Sequence, residues 1–132
     1  MNLDLVTVVV NDYDEAVDFF VGVLGFDLVE DSPLVNDERS GRRWVVVRPI
    51  NGATGLLLAR GEGEAQRLVV GQQTGSRVGF FLRVDDFDEA FARMKSAGVT
   101  FLSPPRTEVY GQVAVFEDVC GNRWDLLGPR IE

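Results

Sequence analysis

The sequence contains no histidine and only one cysteine, Cys120. The lack of histidine excludes an imidazole general base, a Ser-His or Cys-His pair and an imidazole metal ligand. A single cysteine excludes an intramolecular disulfide and a Cys-x-x-Cys metal site, and it is compatible with a reducing compartment. The start of the chain has an early Asp4 and no basic segment, which predicts a first strand and not a signal peptide. We therefore expect a cytoplasmic protein.

Positive charge is also scarce, with 13 Lys plus Arg against 21 Asp plus Glu and a formal charge of −8. A duplex nucleic acid or an anionic membrane surface is not an expected partner, because both are recognised by clustered basic residues. The sequence has no apolar run long enough to span a bilayer. With 132 residues and 45% hydrophobic content, the chain is expected to fold as one globular domain with its own core.

An internal repeat is the most informative feature that is present. The segment VVVNDYDEAVDFF at 8–20 resembles FLRVDDFDEAFAR at 81–93, and a shift of 74 residues places Asp12 on Asp86 and Tyr13 on Phe87. The shift also superimposes the Asp-Glu-Ala triplets that follow. Because such matches rarely arise from composition alone, we interpret the chain as two similar modules.

The residue pattern of each module predicts one strand, one helix and three further strands. Residues 3–10 and 78–84 are rich in β-branched and apolar side chains, as in strands. Asp12 and Asp86 are expected to be helix N-caps in capping boxes with Glu15 and Glu89. Apolar stripes then follow at helical spacing: Ala16, Phe19, Phe20, Val23 and Leu24 in the first helix, and Phe87, Ala90, Phe91, Met94 and Ala97 in the second. Gly25 and Gly98 suit the C-terminal turns of these helices.

The remaining strands are predicted near 26–31, 43–49, 55–60, 99–102, 110–116 and 123–127, with turns at Asn51-Gly52 and Gly121-Asn122. The predicted organisation is a single domain, 1–132, with a first module at 1–60, a connector at 61–76 and a second module at 77–128. The fold class is α+β, with two tandem β-α-β-β-β modules that form a cupped mixed sheet. We expect a small molecule to bind in that cup.

This pattern resembles the vicinal oxygen chelate superfamily, which includes glyoxalase I, extradiol dioxygenases and bleomycin-resistance proteins. The resemblance rests on LVTVVVNDYDEAVDFFVGVLGF, VGFFLRVDDFDEAFARMKSAGV and YGQVAVFEDVCGNRWDLLGP, which together cover most of the chain. Enzymes of this family hold a divalent metal with about four side chains. The resemblance places those four positions at Leu5, Leu57, Gly79 and Asp125, of which only Asp125 carries a ligand atom. We therefore expect no metal, no other cofactor and no catalytic residue of the family type.

Alternation along the four strands predicts which side chains face the cup. The predicted ligand-binding residues are Leu5, Thr7, Leu57, Gly79, Phe81, Arg83, Arg123 and Asp125. Gly79 is expected to leave open space where the family has a bulky ligand. Two alternatives remain open: Asp125 pairs with Arg83 or Arg123 as a structural contact, or Leu5 and Leu57 fill the cup.

Other residues admit more than one interpretation. The sequence does not indicate which way four aromatic side chains point. They are expected either to stack on a flat ligand or to belong to the core or a dimer interface: Trp44, Tyr110, Phe116 and Trp124. The cluster Arg39, Arg42 and Arg43 is interpreted as a solvated loop face. The acidic runs NDYDE and DDFDE are explained better by helix capping than by calcium. Cys120 is predicted in a turn without a catalytic partner.

The sequence favours a metal-free protein that sequesters or senses a small, partly aromatic organic molecule, as bleomycin-resistance proteins do. The alternative is a metal-dependent glyoxalase, lyase or extradiol-dioxygenase-type enzyme whose metal site is displaced from the family positions. A third possibility is a structural partner domain with a filled cup. The resemblance also implies a homodimer. The acidic surface favours a cationic ligand and Arg83 an anionic one, so the charge of the ligand stays open.

Overall fold

The computed structural model describes residues 1–34 and 41–130. Within these ranges the chain forms two compact units, Met1–Val70 and Gly71–Glu132, the last two residues of the second lying outside the described part. Each unit contains one four-stranded mixed sheet with helical segments. The predicted α+β class with two β-α-β-β-β modules is confirmed. No helix in the described ranges has the length and apolar character that a membrane span requires.

The first unit has its four strands in the order β1-β4-β3-β2. Strand β1 pairs in parallel with β4, and the other pairs are antiparallel. The elements are β1 (Leu5–Val10), α1 (Tyr13–Val17), a π-helical segment (Asp18–Val23), β2 (Asp27–Pro33), β3 (Arg43–Arg48), β4 (Gly55–Arg60) and α2 (Gly63–Leu68).

The second unit repeats this topology, with the strand order β5-β8-β7-β6 and a parallel β5–β8 pair. Its elements are β5 (Val78–Arg83), α3 (Phe87–Ser96), β6 (Arg106–Glu108), β7 (Gly111–Glu117) and β8 (Arg123–Leu127). Thr7 pairs with Leu57 in the first sheet, and Phe81 pairs with Asp125 in the second. The repeat aligns these two pairs, which supports the placement of Leu57 and Asp125 at equivalent positions.

Both predicted N-caps are confirmed. The Asp12 carboxylate accepts a hydrogen bond from the Glu15 backbone N–H at 2.8 Å, and Asp86 accepts one from the Glu89 N–H at 3.1 Å. These bonds satisfy donors that the first helical turn leaves without partners. Gly25 and Gly98 have φ angles of 82° and 90°, so both adopt the left-handed conformation predicted for the helix ends.

The first helix differs from the prediction in its second half. It continues from α1 as a π-helical segment, in which the Leu24 N–H donates to the Phe19 carbonyl, five residues earlier, at 2.9 Å. Ala16, Phe20 and Leu24 are buried as the apolar stripe predicts. The apolar stripe did not predict the π-helical segment. The spacing of apolar residues indicates which face of a helix is buried, but it does not indicate whether the backbone hydrogen bonds span four residues or five.

Two other elements differ from the sequence prediction. The strand predicted at 99–102 is reduced to one bridge between Phe101 and Phe116, and pairing with β7 is taken up by β6. Pro104 and Pro105 separate the two, and prolines have no N–H for a sheet ladder. The stretch predicted as a connector also contains α2, which was not predicted as a helix.

Aromatic rings form the core of the second unit. Phe91 of α3 lies 4.5 Å from Phe101 between ring centroids, and Phe116 stacks on Trp124 at 5.7 Å. Trp124 also stacks on Phe80 at 4.6 Å. Phe116 and Trp124, which the sequence left unassigned, are therefore core residues with 0% and 3% exposure. Tyr110 is exposed beside the β6–β7 turn.

Asp118 organises the turn between β7 and β8, where Cys120 lies as predicted. Its buried carboxylate accepts hydrogen bonds from the Trp124 Nε1–H at 2.9 Å and from the Cys120 and Asn122 backbone N–H groups at 2.9 and 3.0 Å. The Asn122 side-chain amide also donates to it, at 3.2 Å. One carboxylate thus satisfies four donors, one of which belongs to the core residue Trp124.

Replacing this carboxylate tests its contribution to folding. Asp118→Ala leaves four donors without their acceptor, so we expect a loss of about 3 kcal/mol in the free energy of unfolding. The measurement is urea denaturation followed by circular dichroism. Asp85→Ala removes an exposed carboxylate before α3 and serves as the control, with little expected change. Equal stability of the two variants would contradict the structural role of Asp118.

Candidate functional site

A cavity of about 680 Å³ opens at one end of the first sheet, where β1 and β4 end and β3 begins. This volume lies within the range of small-molecule sites. We call it the first-unit cavity. Its lining residues are Thr7, Val9, Tyr13, Leu34, Arg42, Arg43, Trp44, Leu57, Leu58, Ala59, Arg60, Glu62 and Gln66.

The floor of the first-unit cavity is largely apolar. Strand alternation explains this composition in β1, because Val8 and Val10 are fully buried in the core while Val9 between them borders the cavity beside its partner Ala59 of β4. Thr7 and Leu57 are cross-strand partners on the same side. Trp44 at the start of β3 keeps 38% of its surface exposed. Its indole is therefore accessible from the cavity side of the sheet.

The rim carries an ordered group of charges. Arg43 makes two hydrogen bonds to the Asp31 carboxylate, at 3.0 and 2.7 Å, and an ion pair with Asp14 at 3.0 Å. The hydrogen bonds of Arg43 to Asp31, and to a smaller extent to Asp14, raise the pKa of its guanidinium above the ordinary value. The guanidinium also lies 5.0 Å from the centre of the Tyr13 ring. The interpretation of this residue as part of a solvated loop face is wrong; Arg39 lies outside the described residues.

Arg60 and α2 complete the rim. The Arg60 guanidinium lies 5.2 Å from the centre of the Tyr13 ring and pairs with Glu62 at 2.8 Å. Gln66 of α2 accepts a hydrogen bond from the Glu62 N–H at 2.9 Å through its side-chain oxygen. The cavity therefore combines apolar walls and an accessible indole with hydrogen-bonding groups at its mouth. Such a combination suits a partly aromatic organic molecule.

Five of the predicted site residues lie in the second unit: Gly79, Phe81, Arg83, Arg123 and Asp125. Phe81 pairs with Asp125, and Arg83 pairs with Leu127, so they share one face with alternate residues of β8. Phe81 is 64% exposed. The Arg83 guanidinium donates to the Gly128 carbonyl, and the Arg123 guanidinium donates to the Ser76 carbonyl at 2.9 Å. Neither guanidinium forms an ion pair or hydrogen bond with Asp125 among the described residues, so the predicted alternative of an Asp125–arginine pair is wrong.

Asp125 has an unusual environment for a carboxylate. It is 9% exposed, and its Oδ1 is buried without a hydrogen-bond partner among the described residues. Burial raises the pKa of the Asp125 carboxyl above 3.8, and the positive charge of Arg106 offsets part of this effect. Burial penalises the charged form, so folding favours the protonated carboxyl.

Gly79 does not leave open space. A Cβ atom at this position would lie 2.8 Å from Thr74 Oγ1, so the Thr74 side chain occupies the volume. Gly79 also falls between Val78 and Phe80, where the register of the β5–β8 pair shifts. The expectation of a vacancy at Gly79 is therefore wrong. A single sequence gives no signal for this contact, because it depends on how the preceding turn folds.

The residues at the four family metal positions do not fit a metal ion. Leu5, Leu57 and Gly79 carry no side-chain donor atom, and Asp125 supplies one carboxylate. Transition-metal sites need three or four converging ligands. Within residues 1–34 and 41–130, no three side chains of histidine, cysteine, aspartate or glutamate are grouped as a metal site.

The eight predicted site residues are thus distributed over both units. Thr7 and Leu57 line the first-unit cavity. Leu5 lies at the start of β1 in register with Gly55 and does not line it. The sequence analysis missed Tyr13, Arg60 and Gln66 as lining residues. Tyr13 follows an N-cap and was treated only as part of the repeat, and no pattern in the sequence places Gln66 over a strand end.

The comparisons with known proteins identify the family. The chain matches the family model of the Glyoxalase/Bleomycin resistance protein/Dioxygenase superfamily over residues 2–126. The chain belongs to this superfamily, as the sequence resemblance predicted.

Individual relatives agree with this membership. An uncharacterized protein of Shewanella frigidimarina (strain NCIMB 400) is 49% identical over 124 residues, covering 92% of this chain and 89% of the relative. The structure is similar to TnmS3, an antibiotic binding protein from Streptomyces sp. CB03234, with 32% identity, a TM-score of 0.76 and coverage of 98% and 96%. It is also similar to a superfamily member from Sphaerobacter thermophilus DSM 20745, with 29% identity, a TM-score of 0.76 and 97% of each chain covered.

The raised pKa of Asp125 predicts a pH effect on stability. A carboxyl whose pKa is raised by folding contributes fully below its unfolded value, near 3.8, and this contribution is lost as the pH rises through the folded pKa. Asp125→Asn removes this titration. We expect the stability of the original protein relative to the variant to fall as the pH rises above about 3.8.

Urea denaturation at several pH values measures this difference. Asp85→Asn, at an exposed position, controls for the loss of one negative charge from an acidic chain. The same pH dependence in both variants would show that net charge, and not burial of Asp125, is responsible.

Proposed function

We propose that this protein binds a small, partly aromatic organic molecule in the first-unit cavity, without a metal ion and without chemical conversion. The observation that carries the proposal is the accessible Trp44 indole on an apolar floor, within a cavity of about 680 Å³. Pockets of this kind bind ligands by apolar contact and use a few polar groups for orientation.

The polar groups at the mouth support binding of an organic molecule with heteroatoms. Arg42, Arg60, Glu62 and Gln66 line this part of the cavity and offer both donors and acceptors. Arg43 is already paired with Asp31 and Asp14 and lies against Tyr13, so its positive charge is less available to a ligand. These charges are of both signs, so the test below includes ligands of opposite charge.

The family relationship supports binding as the function class. TnmS3 is described as an antibiotic binding protein, and the present chain shares 32% of its residues over nearly its whole length. The absence of side-chain donors at Leu5, Leu57 and Gly79 argues against the metal chemistry of the family enzymes. Sequestration or sensing is the role that this combination favours.

We also propose a cytoplasmic location and a homodimer, both from the sequence. The single cysteine suits a reducing compartment, and the family resemblance implies the dimer. Light scattering coupled to size-exclusion chromatography measures the oligomeric state.

Substitution of Trp44 tests the binding site. Two planar probes, 9-anthracenecarboxylate and proflavine, differ in charge and are titrated separately by isothermal calorimetry. We expect at least one to bind, and Trp44→Ala to weaken that binding about tenfold, since stacking on the indole is lost. Tyr110→Ala removes an exposed aromatic residue of the second unit and serves as the matched control.

Binding that Trp44→Ala and Tyr110→Ala reduce equally, or no binding of either probe, would contradict the proposal. Elemental analysis of the purified, dialysed protein gives a separate check. A stoichiometric transition metal would favour the alternative of an enzyme with a displaced metal site.

A further inference from the structure

We propose a second ligand site, within the second unit, that binds a small aromatic carboxylate. It occupies a groove of about 440 Å³ between α3 and the segment that follows it. Phe91 and Lys95 of α3 form one wall, and Val99, Phe101, Leu102 and Ser103 form the other, followed by two prolines. We call this the α3 groove. Its residues are separate from those of the first-unit cavity, so the proposal does not depend on the proposed function.

The walls of the α3 groove suit an aromatic ring. The ring centroids of Phe91 and Phe101 lie 4.5 Å apart, and the ring planes are tilted by 54°. The aromatic ring of a ligand in the groove can therefore contact the face of one phenylalanine and the edge of the other. Leu102 is 43% exposed and adds an accessible apolar surface. Pro104 and Pro105 have fixed backbone angles and no N–H groups, so this wall is rigid and apolar.

The charge of the α3 groove favours an anion. Among the described residues that line the groove, Lys95 is the only charged one, and it is also the only lysine in the sequence. The Lys95 ammonium lies 5.7 Å from the centre of the Phe91 ring and makes no ion pair within the described ranges. The Lys95 ammonium is exposed, so it is accessible to a ligand carboxylate, with which it would form a charge-assisted hydrogen bond.

Rotation of the Ser103 side chain into the groove would provide a second polar contact. Its Oγ is buried and has no hydrogen-bond partner among the described residues, although the residue lines the groove. A hydroxyl donates one hydrogen bond, and a carboxylate oxygen accepts it. An unsatisfied buried hydroxyl is costly, so a ligand that pairs with it gains affinity. The ligand class is therefore a planar apolar ring with one carboxylate.

The single lysine makes the test specific. Reductive methylation with ¹³C-formaldehyde labels only Lys95 and the N-terminal amine, and it retains their positive charges. The protein is then titrated with 2-naphthoate while ¹H–¹³C correlation spectra are recorded. We expect a saturable shift of the Lys95 dimethylammonium resonance. The N-terminal resonance serves as the internal control and should not follow the same curve.

Variants and a neutral probe test the chemistry. In a Trp44→Ala background, which weakens the first-unit cavity, Lys95→Glu should weaken 2-naphthoate binding about tenfold or more by calorimetry on the unlabelled protein, whereas Lys95→Arg should retain it. Ser103→Ala should weaken binding several-fold, and 2-naphthamide should bind more weakly than 2-naphthoate. Trp44→Ala, in the first-unit cavity, should leave the Lys95 shift unchanged.

Several results would overturn this proposal. They are a Lys95 resonance that does not move up to the solubility limit of 2-naphthoate, a Lys95 shift that tracks the N-terminal one, and equal binding by Lys95→Glu. Loss of the Lys95 shift in Trp44→Ala would also overturn it, since the first-unit cavity would then be the site.

Discussion

The parallel pairing of the first and last strands in each unit is the constraint on which the rest of the structure depends. β1 lies beside β4 and β5 beside β8, so the helix between them must cross one face of the sheet. That face becomes the core, with Val8, Val10 and Leu58 buried in the first unit. The opposite face of the sheet and the ends of its strands remain available to bind a ligand. The first-unit cavity, at the ends of β1 and β4, is a direct result of this arrangement.

The same constraint separates the fold from its chemistry. The paired strands bring Thr7 beside Leu57 and Phe81 beside Asp125, whichever side chains occupy those positions. At three of the family metal positions this chain has Leu5, Leu57 and Gly79, whose side chains have no donor atoms. The fold is therefore present in this chain without the metal-binding side chains of the family enzymes. Asp125 remains as a buried carboxylate with an unpartnered oxygen and a raised pKa. Membership in the superfamily therefore specifies the architecture, and the side chains must specify the activity.

The sequence predicted features that depend on near neighbours along the chain. The repeat predicted the two modules. The N-caps Asp12 and Asp86 could be identified because each carboxylate accepts a hydrogen bond from the backbone N–H only three residues later. Contacts that depend on distant segments or on the fold of a turn were not predictable. Arg43 contacts Asp31 and Tyr13, and Arg83 contacts Gly128, across longer stretches of sequence. Thr74 fills the space at Gly79 because of how the turn between them folds. Alternation assigns a residue to a face, but only the register and the turns decide which distant side chain lies beside it.

We propose that an aromatic molecule binds at Trp44 without a metal ion. A crystal structure of the protein with a bound planar probe, grown after treatment with a chelator, would show the position of the ligand. We expect ring density against the Trp44 indole and over Leu57, with polar groups near Arg60 and Glu62. Ring density elsewhere with an empty first-unit cavity, or a ligand that appears only when a metal ion is restored at Asp125, would contradict it.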